Sequence, residues 1–177
     1  SVGLHDFGFE QDETITLDLP FSFQYYGQVF DKISVCSNGW VAMGETTLRH
    51  YRNFTIPSAG SPNALIAPFW DNLRQMSSNQ ICYYHNEEEG TFTVQWNGVI
   101  NPTTSPERFE VTLRDPGVYP TSNGDGEILF QYEAIGNTDY TNGYATVGIQ
   151  NLNGDDGLLY TYWNQYAAGA APLESGM

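Results

Sequence analysis

Oxygen-bearing side chains cluster at several turns of this sequence, where they could hold a divalent cation. The candidates are Asp71 and Asn72 after an apolar run, Asp125 in Asn-Gly-Asp-Gly-Glu, and Asp155 and Asp156 in Asn-Gly-Asp-Asp-Gly. Carboxylate and amide oxygens suit Ca²⁺, but none of these segments has EF-hand spacing. Asx side chains in turns also commonly bond only their own backbone. Calcium is therefore a candidate cofactor, with Asp71 the best single ligand because it leaves a run of large apolar residues.

Aromatic side chains suggest a second chemistry, because sugars stack on flat, exposed rings. The sequence has four Trp and twelve Tyr. Successive side chains of a strand point to opposite faces, so one ring of each neighbouring aromatic pair is expected at the surface. Packing of the same rings in the core is the alternative. The candidate ligand-binding rings are Tyr26, Tyr84, Tyr162 and Trp163.

Motifs for hydrolytic catalysis are missing from the sequence. It contains no G-x-S-x-G elbow, no H-E-x-x-H segment and no Cys/His signature. Paired glycosidase carboxylates need no local motif, so Asp71, Asp125, Glu127 or Glu133 could face each other across a sheet. With 21 acidic residues available, such a pair carries little weight. We therefore predict that the chain is not an enzyme.

The cysteines and one asparagine are candidates for covalent modification. Cys36 and Cys82 each fall in a strand-like run, so a disulfide can form if those strands adjoin, and two free thiols are the alternative. Asn53 has the spacing of an N-glycosylation sequon and lies in an expected loop. Three histidines without a close cysteine or histidine partner disfavour a structural zinc site.

Length and charge restrict the class of protein. A chain of 177 residues fits one domain with a sizeable core, and we expect a single domain over 1–177 with 1–12 as an extended N-terminal arm. A net charge of -15 repels nucleic acid and anionic lipid. No apolar run reaches the roughly 18–20 residues that span a bilayer, so we expect no membrane insertion. Since no leader opens the chain, we expect a mature product or an excised domain.

The elements that must position these residues are β-strands. Alternating apolar residues and β-branched or aromatic runs recur along the whole chain, separated by Gly, Asn, Asp and Pro clusters, and no segment has the pattern of an amphipathic helix. Residues 64–70 are almost continuously apolar, so we expect burial on both faces, with Pro68 at an edge or a bulge. The expected strands are 13–19, 21–25, 29–36, 39–44, 63–70, 80–85, 91–99, 107–114, 127–135, 144–150 and 157–163.

Several phrases together resemble a known kind of module. They occupy 19–27, 33–40, 62–73, 124–132 and 146–151, so the resemblance covers nearly the whole chain from about residue 14. These phrases are similar to a β-sandwich module of large secreted bacterial proteins, often found beside peptidase domains. The first half also resembles the nidogen-type extracellular domain of animal adhesion proteins. This resemblance implies an extracellular, non-catalytic role and leaves the ligand open.

The chain departs from the module in three places. Asp71-Asn72 stands where an acidic pair is usual, which weakens a cation site there, and Cys36 replaces a small polar residue, so a bridge to Cys82 would be particular to this chain. Similar modules continue beyond a phrase like Leu-Glu-Ser-Gly into one more apolar strand, whereas this sequence stops at Met177. A missing strand would leave an open sheet edge that another copy or a partner could complete. A shortened chain or an already complete sandwich is the alternative.

We therefore predict an all-β, antiparallel, jelly-roll-like sandwich of about ten or eleven strands. We expect a secreted module at the bacterial cell surface that acts in adhesion or assembly. Its expected partners are other protein subunits, copies of itself or a surface glycan. A carbohydrate-binding module and an accessory domain of a secreted peptidase are the alternatives.

Overall fold

The structure is a computed structural model that describes residues 1–4, 12–77, 80–101, 106–141 and 143–177. Within these ranges the chain forms eleven β-strands and no helix, so nothing in them could cross a membrane as a helix. The strands are β1 (Thr14–Tyr25), β2 (Gln28–Cys36), β3 (Trp40–Met43), β4 (Leu65–Trp70), β5 (Ile81–Asn86), β6 (Thr91–Val99), β7 (Glu107–Arg114), β8 (Ile128–Ala134), β9 (Thr146–Gln150), β10 (Gly157–Tyr162) and β11 (Gln165–Tyr166).

The strands form two antiparallel sheets that pack as a sandwich, which confirms the predicted fold class. The larger sheet has the order β1-β2-β3-β4-β9-β10-β11, and the smaller has the order β5-β6-β7-β8. The chain crosses between the sheets after β4 and returns after β8. The first crossing begins at Asp71 and Asn72, two of the predicted calcium ligands.

The main core lies between the sheets, and a second apolar cluster covers the opposite face of the larger sheet. Phe69 and Ile66 of β4 pack into the main core, whereas Leu65 and Trp70 belong to the second cluster. The indole N–H groups of Trp40 and Trp70 both donate to the carbonyl oxygen of His50, at 3.0 and 2.9 Å, and so fix the covering loop. The predicted burial of 64–70 on both faces is confirmed.

Two prolines mark irregularities in the larger sheet. The two strands expected on either side of Pro20 form the single strand β1, whose register with β2 shifts between Asp18 and Phe23. The β4–β9 register shifts between Ala67 and Trp70, so of the edge or bulge expected at Pro68 the structure has an irregularity inside the sheet. Since proline has no N–H to donate to the ladder, each interruption falls where the sequence requires it.

Candidate functional site

Three buried acidic side chains meet near one end of the sandwich. Asp71 directly follows β4, Glu107 begins β7, and Asp139 lies in the loop between β8 and β9; none is more than 1% exposed. We call these three residues the carboxylate centre. They converge because both sheet crossings pass this end of the molecule.

Local pairing explains how the centre is assembled. Trp70 pairs with Thr146 at the start of β9, which brings the β8–β9 loop beside Asp71. That loop is folded on itself, because the Tyr144 N–H donates to the Asp139 carbonyl oxygen at 2.8 Å and the Ala145 N–H donates to Oδ1 of Asn137 at 2.9 Å. The carboxylate centre therefore depends on pairings between residues far apart in sequence.

The Asp71 carboxylate is held by neutral donors. Its Oδ1 accepts from the Asn72 N–H at 2.7 Å, and its Oδ2 accepts from the side-chain amide of Asn101 at 3.3 Å. Burial raises the pKa of the Asp71 carboxyl to about 7; the negative charges of Asp139 and Glu107 also raise it, and the two hydrogen bonds lower it. Near neutral pH this carboxyl is therefore poised between its neutral and ionised forms.

Asp139 is bonded through only one of its carboxylate oxygens. Oδ1 accepts from the backbone N–H of Thr141 at 2.9 Å and from the Thr141 hydroxyl. Oδ2 is buried and has no hydrogen-bond partner, and the same is true of Oδ1 of Asn72. These two acceptor oxygens are thus without a donor among the residues that the structure describes.

The other predicted calcium ligands lie elsewhere, and Asp125 and Asp155 accept hydrogen bonds from other groups of the chain. Asp125 lies between β7 and β8, where Oδ1 accepts from the Gly27 N–H at 2.8 Å and Oδ2 from Asn123 at 3.0 Å. Asp155 accepts from the Asn151 amide at 2.6 Å, and Asp156 lies exposed beside it. The structure therefore separates Asp71 and Asn72 from the other three candidates. Across the described chain, no three Asp, Glu, His or Cys side chains form a metal-binding group.

A second feature of interest is the edge of the smaller sheet at β8. Only Tyr132 of this edge has a backbone partner beyond β7 in the described chain: its N–H donates to the Met177 carbonyl and its carbonyl accepts from the Gly176 N–H, both at 2.7 Å. Gly176 has a φ of +85°. Gly176 and Met177 thus both pair with Tyr132, and the first of them is a glycine in the left-handed region. This is the arrangement of a G1 β-bulge in an antiparallel pair.

An apolar groove of about 350 Å³ runs beside this edge between the two sheets. Ile128 and Phe130 point inward from β8 but remain partly exposed, whereas their partners on β7, Leu113 and Val111, are buried. Leu158 of β10 is 69% exposed at the groove. The lining residues include Phe130, Tyr132, Val147, Ile149, Leu158 and Leu173. This geometry leaves room for one more strand along β8.

A protein-family model described as NIDO related matches residues 3–173. The chain belongs to the NIDO-related family. Comparison with curated proteins and with solved structures gives no match. The predicted nidogen resemblance is therefore confirmed at the level of the family and extends over nearly the whole chain.

The aromatic candidates of this NIDO-related domain do not form a flat platform. Tyr162 and Trp163 are neighbours whose ring planes meet at 81°, and Tyr26 meets Tyr25 at 86°. Tyr84 is 66% exposed but lies on β5, in the other sheet from Tyr162. Because a sugar face needs coplanar rings, these pairings disfavour the carbohydrate-binding alternative.

The candidates for covalent modification are constrained by the fold. Cys36 lies in β2 and Cys82 in β5, in different sheets, and both are free thiols. The strands do not adjoin, so the bridge considered from the sequence does not form. Asn53 is buried, and its amide donates to the Thr146 hydroxyl oxygen at 3.0 Å. The folded domain therefore does not present Asn53 as a glycan acceptor.

Of the two members of the carboxylate centre that the sequence analysis missed, Glu107 had a usable signal in the sequence. Glu107 is in phase with Phe109, Val111 and Leu113, so the period-two pattern places it on the core face of its strand. Asp139 had no such signal, because it lies in a loop and its neighbours come from β4 and β9. The expected arm at 1–12 falls largely on 5–11, outside the described residues.

Proposed function

We propose that this NIDO-related domain is a non-catalytic extracellular module that assembles with another protein by accepting a β-strand along β8. The observation that supports the proposal is the open β8 edge above an apolar groove. Strand addition uses main-chain hydrogen bonds for affinity and pockets for alternate side chains for specificity. Both features are available here.

The register of the added strand follows from Tyr132. Its outward backbone groups are already bonded to Gly176 and Met177, and outward groups recur at every second residue of an edge strand. The next outward groups belong to Phe130 and Ile128, for which the described chain provides no backbone partner beyond β7. The partner is therefore an extended segment that pairs with Phe130 and Ile128, with apolar residues at alternate positions facing the groove.

Charge and topology favour a different protein over a second copy as the donor. Two copies with a net charge of -15 repel each other, whereas a donor strand with basic flanks is attracted. The N-terminal residues Val2 and Leu4 are buried in the core, and the Val2 N–H donates to the Ile81 carbonyl. They are therefore not a free arm that a second copy could donate.

The extracellular setting is part of the proposal. Family membership supports it, because nidogen-type domains occur outside the cell in adhesion proteins and the present domain is NIDO related. The bacterial cell surface is the proposed location because the phrases described above resemble modules of large secreted bacterial proteins. Adhesion or assembly at that surface would use the β8 edge.

The test uses a synthetic nine-residue peptide that alternates Val and Thr between lysine flanks. The control peptide has the same composition with the valines grouped together. We expect the alternating peptide to bind, with slowed hydrogen exchange at the Phe130 and Ile128 amides, and the grouped peptide to bind at least tenfold more weakly. Amide exchange followed by NMR locates the contact on the intact domain.

Two lysine substitutions with the same change of charge make the test specific. Leu158→Lys places a cation in the groove and should weaken binding at least tenfold, whereas Leu129→Lys lies on the outer face of β8 and should leave binding unchanged. Equal effects of the two substitutions, or exchange protection confined to another edge, would contradict the proposal. Self-association with the same protection of β8 would instead identify a second copy as the donor and overturn the choice of a different protein.

A further inference from the structure

One exposed loop of this acidic domain carries positive charge. Residues 46–70 contain no Asp or Glu, although the chain has 21 acidic residues and a net charge of -15. Arg49 and Arg52 lie in this stretch, between β3 and β4, and both are exposed. We call residues 46–55 the arginine loop. Its charge is opposite in sign to that of the chain as a whole.

The two arginines take no part in the ion pairs of the described chain. Those ion pairs join Lys32 to Glu45, Arg108 to Glu133 and Arg114 to Glu127. Asp12 is an acidic residue on which Arg49 acts. Burial raises the pKa of the Asp12 carboxyl, and among the effects that lower it the Arg49 charge ranks behind two hydrogen bonds. The positive charge of the arginine loop is therefore largely available to a partner.

The backbone of the arginine loop is held in place at three points. The Thr14 hydroxyl donates to the Leu48 carbonyl oxygen at 2.6 Å, and the Thr146 hydroxyl donates to the Phe54 carbonyl oxygen at 2.8 Å. Between them, two indole N–H groups of the larger sheet donate to the His50 carbonyl oxygen. Because the loop is already ordered in the free domain, a partner that binds it does not bear the cost of ordering its backbone.

The exposed side chains of the loop have the composition of a protein interface. Leu48, Tyr51 and Phe54 are 40%, 44% and 37% exposed, and they lie among the two arginines. Aromatic residues and arginine are enriched in protein–protein interfaces and in their hot spots, whereas Lys, Glu and Asp are depleted. The composition therefore favours a protein over an anionic glycan as the partner.

We propose that the arginine loop binds an acidic, extended segment of another protein. Arg49 and Arg52 are three residues apart, so their Cα atoms lie within about 11 Å of each other and one segment can meet both. Each guanidinium can bind a carboxylate through two parallel hydrogen bonds. An apolar or aromatic side chain of the same segment packs against Tyr51. A second copy of this acidic chain is disfavoured because the net charges repel.

This surface is separate from the edge at β8. The arginine loop is bonded to Trp40 and Trp70 of the larger sheet, whereas β8 is an edge of the smaller sheet. The strand proposed for β8 has basic flanks, and the segment proposed here is acidic. Each proposal can therefore fail without the other.

The first experiment selects ligands for the intact domain from random twelve-residue peptides displayed on phage, in a library that contains Asp and Glu but no Lys or Arg. We expect the enriched peptides to carry at least two acidic residues and an aromatic or leucine residue. A synthetic copy should shift the backbone amide signals of Arg49, Tyr51 and Arg52 in NMR spectra. Failure to enrich acidic peptides, or shifts confined to other surfaces, would overturn the proposal.

Two double variants with the same change of charge locate the contact. Arg49→Gln with Arg52→Gln should weaken binding of the selected peptide at least tenfold. Arg108→Gln with Arg114→Gln removes two arginines that are ion-paired on β7, and should change affinity less than twofold. Unchanged thermal unfolding of the first variant shows that its fold is intact, as expected for exposed side chains. Equal weakening in both variants would reveal a general effect of charge and overturn the assignment.

An anionic oligosaccharide distinguishes the class of partner. Oligogalacturonate supplies carboxylates without apolar side chains, so it should bind at least tenfold more weakly than the selected peptide. Tyr51→Ala should weaken the peptide and leave the oligosaccharide unchanged. Oligogalacturonate that binds as tightly as the peptide would overturn the choice of a protein.

Discussion

The phenol of Tyr132 donates a 2.7 Å hydrogen bond to the carbonyl oxygen of Pro68, from the smaller sheet to the larger one. Pro68 lies in the interior of the larger sheet, at the point where the β4–β9 register is interrupted. Its carbonyl is buried between the sheets and needs a donor there. The hydrogen bond that joins the two sheets is thus made at the irregularity in β4. We call it the joint between the sheets.

Substitution of Tyr132 by Phe tests this joint. The ring can remain in place, but the Pro68 carbonyl loses its donor, so we expect the free energy of unfolding to fall by about 1–3 kcal/mol. Tyr84→Phe removes a hydroxyl from an exposed ring and should change stability by less than about 0.5 kcal/mol. Urea denaturation followed by tryptophan fluorescence measures both. Equal stability of the two variants would show that the bond contributes nothing.

The strands were predictable from the sequence because their signals are local. Alternation of apolar residues and the turn-forming Asn-Gly pairs give nearly every strand, and the apolar run at 64–70 gives a central strand buried on both faces. The two-residue strand β11 was missed because Gln165 and Tyr166 are too few to show a period. The strands expected on either side of Pro20 form one, since pairing with β2 continues across the irregularity.

The sites were less predictable because their parts are distant in sequence. Asp71 was identified from its position after an apolar strand, but its neighbour Asp139 is brought there only by the pairing of Trp70 with Thr146. Asp125 and Asp155 were candidates for the same reason as Asp71, yet Asp155 bonds within its own turn and Asp125 bonds to the β1–β2 turn. A motif therefore cannot distinguish an Asx turn from a buried carboxylate. Which of these an aspartate becomes depends on where the sheet crossings place it.

Gly39, in the turn between β2 and β3, should tolerate no side chain. It has a φ of +76°, and a Cβ atom would lie 1.9 Å from the carbonyl oxygen of Phe69. We expect Gly39→Ala to lower the free energy of unfolding by more than about 3 kcal/mol, because a backbone atom of β4 would have to move. Gly27 has a similar φ of +74° with nothing within 4 Å, so Gly27→Ala should cost only about 1–2 kcal/mol. Thermal denaturation of both variants provides the comparison, and equal losses would refute the steric explanation.

The two thiols should differ sharply in reactivity. Burial raises the pKa of the Cys36 thiol to about 12, so almost no thiolate is present at neutral pH, whereas Cys82 is partly exposed. Since the thiolate is the reacting species, a thiol-specific reagent should label one cysteine per native chain and two after unfolding. Cys82→Ser should remove the native reaction, and Cys36→Ser should preserve it. A chain without a reactive thiol in the absence of reductant would instead demonstrate a disulfide.

The pH dependence of stability should report the ionisation of Asp71 in metal-free protein. Its pKa is about 7 in the folded domain against 3.8 for the ordinary carboxyl, so the folded state holds the proton more tightly. The stabilisation is complete below about pH 4 and is lost as the pH rises through 7, at up to about 1.4 kcal/mol per unit. Asp71→Asn has no carboxyl to ionise at this position. Between pH 4 and 7 its free energy of unfolding should therefore rise relative to that of the unsubstituted domain. Above pH 8 the difference between the two should be constant.

Urea denaturation at several pH values, in the presence of a chelator, measures this difference. Asp155→Asn is the control, because it makes the same chemical change at an exposed position. Curves for Asp71→Asn and the unsubstituted domain that run parallel from pH 4 to 8 would show that Asp71 titrates as an ordinary carboxyl. The other outcome is a difference in stability between Asp71→Asn and the unsubstituted domain that changes between pH 4 and 7, with no such change for Asp155→Asn. It would establish that burial and the neighbouring acidic groups retain a proton on Asp71.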